Sequence, residues 1–238
     1  MNPALAPVAI VLGTAVSYVA GAFLGVPLLV PILNVVPAFP FMIDSLRHRR
    51  VGEAIGRMLV WATALGVCAT TASYLAPVET ARLFIHADDY RREMFWFILT
   101  GHGAEGDIRQ FLPQHAGHAA MFCGLALATG SALAMPLGAM LMNYMGHYVG
   151  ALGAASTHPW RALGLAWVPW SLVRIASFVT LGVVLGGPVL ARVFGFEYRL
   201  SEQRRWIALA AAGLLVDVLL KWALAPSWRV LIKSAAGW

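Results

Sequence analysis

Two long stretches without a charged residue constrain this chain more than any other feature. The first runs from Pro3 to Ile43 and the second from Ala116 to Pro159. Because a helix needs about 20 apolar residues to cross a ~30 Å hydrocarbon core, each stretch is about twice as long as one span. Soluble domains carry about 25% charged residues, whereas this chain has 12% and a mean hydropathy of +0.73. The chain is therefore predicted to be an integral membrane protein in contact with the lipid bilayer.

Prolines divide the first stretch. They stand at Pro27, Pro31, Pro37 and Pro40. Proline removes a helical hydrogen bond and clashes with the preceding turn, so one straight helix is not expected here. We predict a helix over 5–26, followed by a broken or re-entrant segment over 28–43. A tight hairpin of two spans is the alternative.

The second stretch has two interpretations. Pro136 and Gly138 lie near its middle and favour one long kinked helix with a polar end over a hairpin that turns near 133–138. Further spans are predicted over 54–76, 162–186 and 206–225. The fold class is thus an all-α polytopic transmembrane helical bundle of about six spans, with a range of five to seven. The whole chain, 1–238, is expected to form one membrane domain.

Residues 78–115 form the polar part of the chain. An apolar island over 94–101 interrupts them, but eight residues are too few to cross the bilayer. We expect one or two helices here that lie at the membrane surface or pack against the bundle. This segment is predicted to form a polar interfacial helical cap between two spans.

A cluster of ionisable residues closes this cap. His102, Glu105, Asp107, His115 and His118 lie within 17 residues. The i, i+3 spacing of each His–Glu or His–His pair places both side chains on one helix face, and such residues are ligands of Zn, Fe and Mn. The pattern predicts a divalent metal bound by His102, Glu105, His115 and His118, with Glu105 or Asp107 as the base. The alternatives are a locally hydrogen-bonded cluster or acid–base chemistry without a metal.

Polar residues also occur within the predicted spans. They are Asn143, His147, Arg174, Asp217 and Lys221. Polar groups at membrane depth are costly and tend to face the bundle interior or a wet cavity. Asp217 needs a cationic partner, either Lys221 at i+4 or Arg174. This set predicts a buried ion pair, or else a polar path across the membrane.

Three functions follow from these patterns. The first is a metal-dependent membrane hydrolase or oxidoreductase with a lipid-like or small-molecule substrate. The second is a transporter or channel that uses the intramembrane polar residues. The third is a non-catalytic subunit whose small-residue faces pack against partner subunits or a second copy; these faces contain Gly124, Gly130, Gly138, Gly146 and Gly150.

The net charge of the chain is +6. Its basic residues are scattered among predicted helix ends, as expected for loops beside anionic lipid head groups. No basic patch interleaved with aromatic residues occurs, so nucleic-acid binding is not predicted. The expected location is the bacterial inner membrane.

Overall fold

The computed structural model describes residues 5–238, and within them the chain is built from α-helices without β-strands. The helices are α1 (Leu5–Leu24), α2 (Leu29–Val35), α3 (Phe39–Arg47), α4 (Val51–Leu75), α5 (Pro77–Leu83), α6 (Ala87–Thr100), α7 (Ile108–Thr129), α8 (Ala134–Ala154), α9 (Pro159–Ala166), α10 (Pro169–Phe194) and α11 (Arg204–Ala236). Within this described part of the chain, five helical segments are long and apolar enough to cross a membrane: Leu5–Leu24, Leu29–Arg47, Val51–Leu75, Pro169–Phe194 and Leu200–Ala236. The predicted all-α polytopic membrane bundle is confirmed.

The first uncharged stretch folds as a helix followed by a broken segment. Helix α1 ends at Leu24, and Gly25 adopts a left-handed conformation with φ of 64°, which glycine tolerates without steric cost. The following segment consists of the short helices α2 and α3, separated around Pro37. The predicted broken second segment is confirmed, although it extends to Arg47 instead of Ile43.

The second stretch forms two helices, so the prediction of one kinked helix is wrong. Helix α7 ends at Thr129, and Gly130 and Ser131 both have positive φ values, 61° and 68°. A left-handed glycine after the last helical residue is a common helix end. Pro136 lies in the first turn of α8, where the missing N–H group costs little.

The two helices run antiparallel. Phe122 lies eight residues before Gly130 and Gly138 lies eight residues after it, and a Cβ atom at Gly138 would be 3.6 Å from the Phe122 ring. The turn lies at 130–133, slightly before the position expected for the hairpin alternative. It brings α7 and α8 side by side.

The segment 78–115 contains α6 and almost all of α5, in agreement with the expected one or two helices. It also contains the beginning of α7, which starts before Pro113 and not after it. The reason is Asp107, whose carboxylate accepts a hydrogen bond of 2.8 Å from the backbone N–H of Arg109. Such a side chain satisfies one of the unpaired N–H groups at a helix start.

Helices α4 and α8 pack against each other at the centre of the bundle. Helices α1, α3 and α10 also contact α4, while α6 packs on α8. Helix α10 joins α7 and α11 to this centre. The main apolar core lies between these elements and includes Met58, Trp61 and Leu65 of α4.

Candidate functional site

A large cavity lies inside the bundle. Its volume is about 590 Å³, within the ~300–1,000 Å³ usual for small-molecule sites. Helices α3, α4, α6, α7, α8 and α10 contribute to its wall. The sequence contains no local pattern for such a cavity, because its wall is assembled from segments that are far apart in the chain.

Methionines form much of the apolar wall. Of the eight methionines between residues 5 and 238, seven line the cavity: Met42, Met58, Met121, Met135, Met140, Met142 and Met145. Methionine side chains are unbranched and polarizable, so they adapt to ligands of different shapes. A wall of this kind fits an apolar ligand without demanding one fixed shape.

The wall changes from polar to apolar in the same direction along neighbouring helices. On α7 it runs from His115 and His118 to Phe122. On α10 it runs from Arg174 to Gly182. Because the ionisable residues named on both helices precede Phe122 and Gly182, the cavity as a whole has a polar end and an apolar end.

Contacts between helices show which residues lie together at each end of the cavity. At the apolar end, the Phe122 ring lies 3.6 Å from the Cβ position of Gly138 and 3.2 Å from that of Gly182. At the polar end, the ring of Tyr144 stacks on that of Tyr90, with centroids 6.1 Å apart and an interplanar angle of 25°. All five residues line the cavity, so its polarity gradient is shared by α6, α7, α8 and α10.

A buried ion pair adjoins the polar end. Asp217 of α11 is fully buried, and the guanidinium of Arg174 donates two hydrogen bonds to its carboxylate, at 2.8 and 2.9 Å. A buried carboxylate requires such a partner, because desolvation of an unpaired charge is costly. Of the two partners predicted for Asp217, the structure selects Arg174.

Lys221 has a different partner. Its Nζ atom donates a hydrogen bond of 2.7 Å to Glu105, in the turn before α7. The same ammonium lies 3.3 Å from the centroid of the Phe111 ring, and the Arg174 guanidinium lies 5.1 Å from it. Both distances are within the range of a cation–π interaction. Phe111 therefore joins the two ion pairs into one buried ionic group.

His115 connects this ionic group with the cavity. Its side chain is 8% exposed and stacks on Phe111, with ring centroids 5.1 Å apart. The Nε2 atom lies 3.4 Å from an Asp217 carboxylate oxygen, and it has no hydrogen-bond partner in the described part of the chain. His115 therefore lies between the buried ionic group and the cavity.

The four predicted metal ligands do not meet as a set. Within residues 5–238, no group of three or more His, Cys, Asp or Glu side chains is arranged to hold a metal ion. Glu105 binds Lys221 and His115 faces Asp217, while His102 is exposed in the turn after α6. His118 is exposed at the cavity wall. Helical spacing correctly placed His115 and His118 on one wall, but it carried no information about what they face.

The two predicted bases already have structural partners. Glu105 accepts the hydrogen bond from Lys221, and Asp107 caps α7 and accepts a second hydrogen bond of 3.2 Å from Gln110. Both carboxylates therefore have structural roles at the beginning of α7.

His147 belongs to a second buried group, on α8. Its Nδ1 atom lies 3.1 Å from the Ser73 hydroxyl and 3.3 Å from that of Thr80. Its Nε2 atom lies 3.9 Å from Asp88 and is buried without a hydrogen bond to any residue between 5 and 238. Ser73 and His147 are fully buried, and neither lines the cavity.

Asn143 belongs to a third group. It accepts a hydrogen bond from Tyr18 and donates one of 3.2 Å to Asn34, and Asn34 donates one of 2.8 Å to Ser17. The backbone carbonyl of Asn34 accepts a further bond from Trp61. These contacts link α1, α2, α4 and α8. Tyr18 and Asn34 were not singled out from the sequence; an asparagine inside an uncharged stretch was the one available signal.

Comparison of the chain with protein-family models, with curated proteins and with solved structures gives no match.

Proposed function

We propose that this integral membrane protein binds a lipid-like, amphipathic small molecule in the methionine-lined cavity. The observation that carries the proposal is the common polarity gradient of the cavity wall. An apolar chain would lie against the methionines and Phe122, and each buried CH₂ group would contribute about 0.8 kcal/mol. A polar head would remain beside the ionisable residues of α6, α7 and α10.

A bulky side chain at the apolar end tests this proposal. We expect Gly138→Trp to weaken binding of dodecanol at least about tenfold, since displacing two buried CH₂ groups already removes about 1.6 kcal/mol. The affinity for dodecanol is measured by native mass spectrometry of the protein in lipid nanodiscs. Gly138 suits this purpose because it lines the cavity and its Cβ position has only ordinary contact with Phe122, at 3.6 Å.

Gly124→Trp is the matched control. Gly124 is exposed on α7, and a Cβ atom there would meet no atom within 4 Å. This variant should bind dodecanol as the wild type does. Equal binding by all three proteins would contradict the proposal, as would an equal loss in both variants when both retain the wild-type melting temperature.

A metal-dependent enzyme that acts on this molecule is the second candidate. It is favoured by the position of His115 and His118, which line the cavity one helical turn apart. Two imidazoles on one helix face could share a Zn, Fe or Mn ion with donor atoms of a bound substrate. The ion would polarise the substrate or activate water.

Elemental analysis tests this second candidate. We expect purified wild-type protein to contain about one metal ion per chain, and the double variant His115→Ala, His118→Ala to lose it, because two ligands are removed together. His48→Ala, His158→Ala is the control, since neither residue lines the cavity and the metal content should stay unchanged. Wild-type protein without metal, or equal metal in all three proteins, would contradict a metal-dependent reaction.

Other predictions from the sequence remain open. Location in the bacterial inner membrane and assembly with partner subunits or a second copy are two of them. Transport along the intramembrane polar residues is a third. Since those residues belong to three separate hydrogen-bonded groups, a continuous path would require these groups to rearrange.

A further inference from the structure

The polar end of the cavity has an excess of carboxylates. Asp89, Glu93 and Glu105 line it, whereas Arg174 is the one lysine or arginine among the described lining residues. The guanidinium of Arg174 is already engaged by Asp217 through two hydrogen bonds. No lysine or arginine among the described lining residues is therefore left for an anionic ligand.

Two of these carboxylates are neutralised from outside the cavity wall. Glu105 binds Lys221 at 2.7 Å. Asp89 accepts hydrogen bonds from Arg92 and His86, which lower the pKa of its carboxyl group and keep it ionised. Neither Arg92 nor Lys221 lines the cavity.

Glu93 is the carboxylate without a cation. It lies one turn after Asp89 on α6, and no lysine, arginine or histidine among residues 5–238 forms an ion pair with it. The two arginines beside it in the sequence are engaged elsewhere, because Arg91 binds Asp88 and Arg92 binds both Asp88 and Asp89. A cationic ligand would supply the missing charge.

Aromatic rings flank this carboxylate. Tyr90 precedes Glu93 by one helical turn and stacks on Tyr144, and both tyrosines line the cavity with Glu93. Each ring has one face that the other ring does not cover. Tyrosine faces attract ammonium groups, most strongly where the cation loses water. A carboxylate beside tyrosines is thus suited to a positively charged nitrogen and unsuited to a phosphate.

We propose that the cavity recognises amphiphiles with a cationic nitrogen head group, an amine or a quaternary ammonium, through Glu93, Tyr90 and Tyr144. This inference rests on the proposed function, since it assigns the head group of the molecule whose chain occupies the apolar end. An anionic phosphate head is disfavoured by the engaged state of Arg174. A neutral head would leave the charge of Glu93 without a partner.

Three probes with the same chain separate these cases. Binding of dodecyltrimethylammonium, dodecanol and dodecyl phosphate to the protein in lipid nanodiscs is measured by native mass spectrometry. We expect the ammonium probe to bind about tenfold more tightly than dodecanol, because a cation–π contact with the half-buried tyrosines and attraction to the exposed Glu93 carboxylate add together. The phosphate probe should bind most weakly.

Charge-removing variants locate the head group. Glu93→Gln should abolish the preference for the ammonium probe over dodecanol. Glu79→Gln is the control, because Glu79 is exposed on α5 and does not line the cavity, and it should behave as the wild type does. Equal binding of all three probes, preference for the phosphate, or an ammonium preference that survives in Glu93→Gln would overturn the assignment.

The outcomes that overturn the head-group assignment differ from those that overturn the proposed function. If the head-group assignment alone is wrong, dodecanol still binds and Gly138→Trp still weakens it. If the cavity does not bind amphiphiles, none of the probes responds to Gly138→Trp, and both proposals fall together.

Discussion

Replacing Asp217 with asparagine is expected to lower the free energy of unfolding by about 3–5 kcal/mol, the usual cost of removing one partner of a buried ion pair. The asparagine keeps the shape of the side chain but leaves the Arg174 guanidinium with no counter-charge at its two hydrogen bonds. Asp217 is fully buried on α11, so no bulk water takes the place of its carboxylate beside Arg174. The loss is measured as reversible unfolding in mixed micelles at increasing denaturant.

A second substitution tests the cause. Adding Arg174→Met to Asp217→Asn should recover most of the lost stability, because no unpaired charge then remains buried. Glu197→Gln is the control for charge removal, since its partner Arg49 is 68% exposed and Glu197 is 84% exposed; an exposed pair contributes at most about 1 kcal/mol. Wild-type stability of Asp217→Asn, or a double variant as unstable as the single one, would show that the ion pair does not stabilise the fold.

The spans were predictable because each depends on the composition of one continuous segment. The uncharged first stretch and its prolines indicated a helix followed by a broken segment, and α1, α2 and α3 show that arrangement. The same argument failed for the second stretch, where Pro136 and Gly138 favoured one kinked helix. A proline is tolerated in the first turn of a helix, and it was the left-handed Gly130 that ended α7.

The site was less predictable because it depends on which helix faces meet. Helical spacing placed His115 and His118 together, and the cost of a buried charge required a partner for Asp217. Spacing along α11 equally permitted Lys221 as that partner. The choice depends on the packing of the turn before α7 against α11. There Lys221 pairs with Glu105, and Asp217 pairs with Arg174.

The cavity was not predictable because its wall contains no local motif. Its methionines are spread over α3, α4, α7 and α8, and each alone resembles an ordinary core residue. Nothing in the sequence distinguishes Glu93 from the other charged residues of a surface helix. Glu93 differs from them because it lines the cavity and forms no ion pair with any residue between 5 and 238, and only the folded chain shows this.

The glycines of α8 also show that the sequence does not predict which helix a given face will contact. Gly146 and Gly150 were expected to pack against partner helices, but they pack against α4 of the same chain. A Cβ atom at Gly146 would collide with Ala69, and one at Gly150 would collide with the carbonyl oxygen of Thr70 and lie 2.7 Å from the Ser73 Cβ atom. The spacing G-x-x-x-G allows close helix contact in membranes, whichever helix is the neighbour.

Gly150→Ala is therefore expected to destabilise the protein by about 1–3 kcal/mol, the usual cost of adding a methyl group to a closed contact. The methyl group would meet backbone atoms of α4, which cannot move aside as a flexible side chain can. The displacement would also lengthen the contact between Ser73 and His147, now 3.1 Å. Unfolding in mixed micelles measures the loss.

Gly56→Ala is the matched control, and its effect should have the opposite sign. Gly56 lies on α4, the other helix of this contact, but it is exposed and has open space around its Cβ position. Alanine in a helix is about 0.5–1 kcal/mol more favourable than glycine, so this variant should be equally stable or slightly more stable. If both alanines raise stability, the close contact of α4 and α8 is not required. If Gly150→Ala alone lowers it, Gly150 is a packing residue inside one chain, and the small-residue face of α8 is not available to a partner subunit.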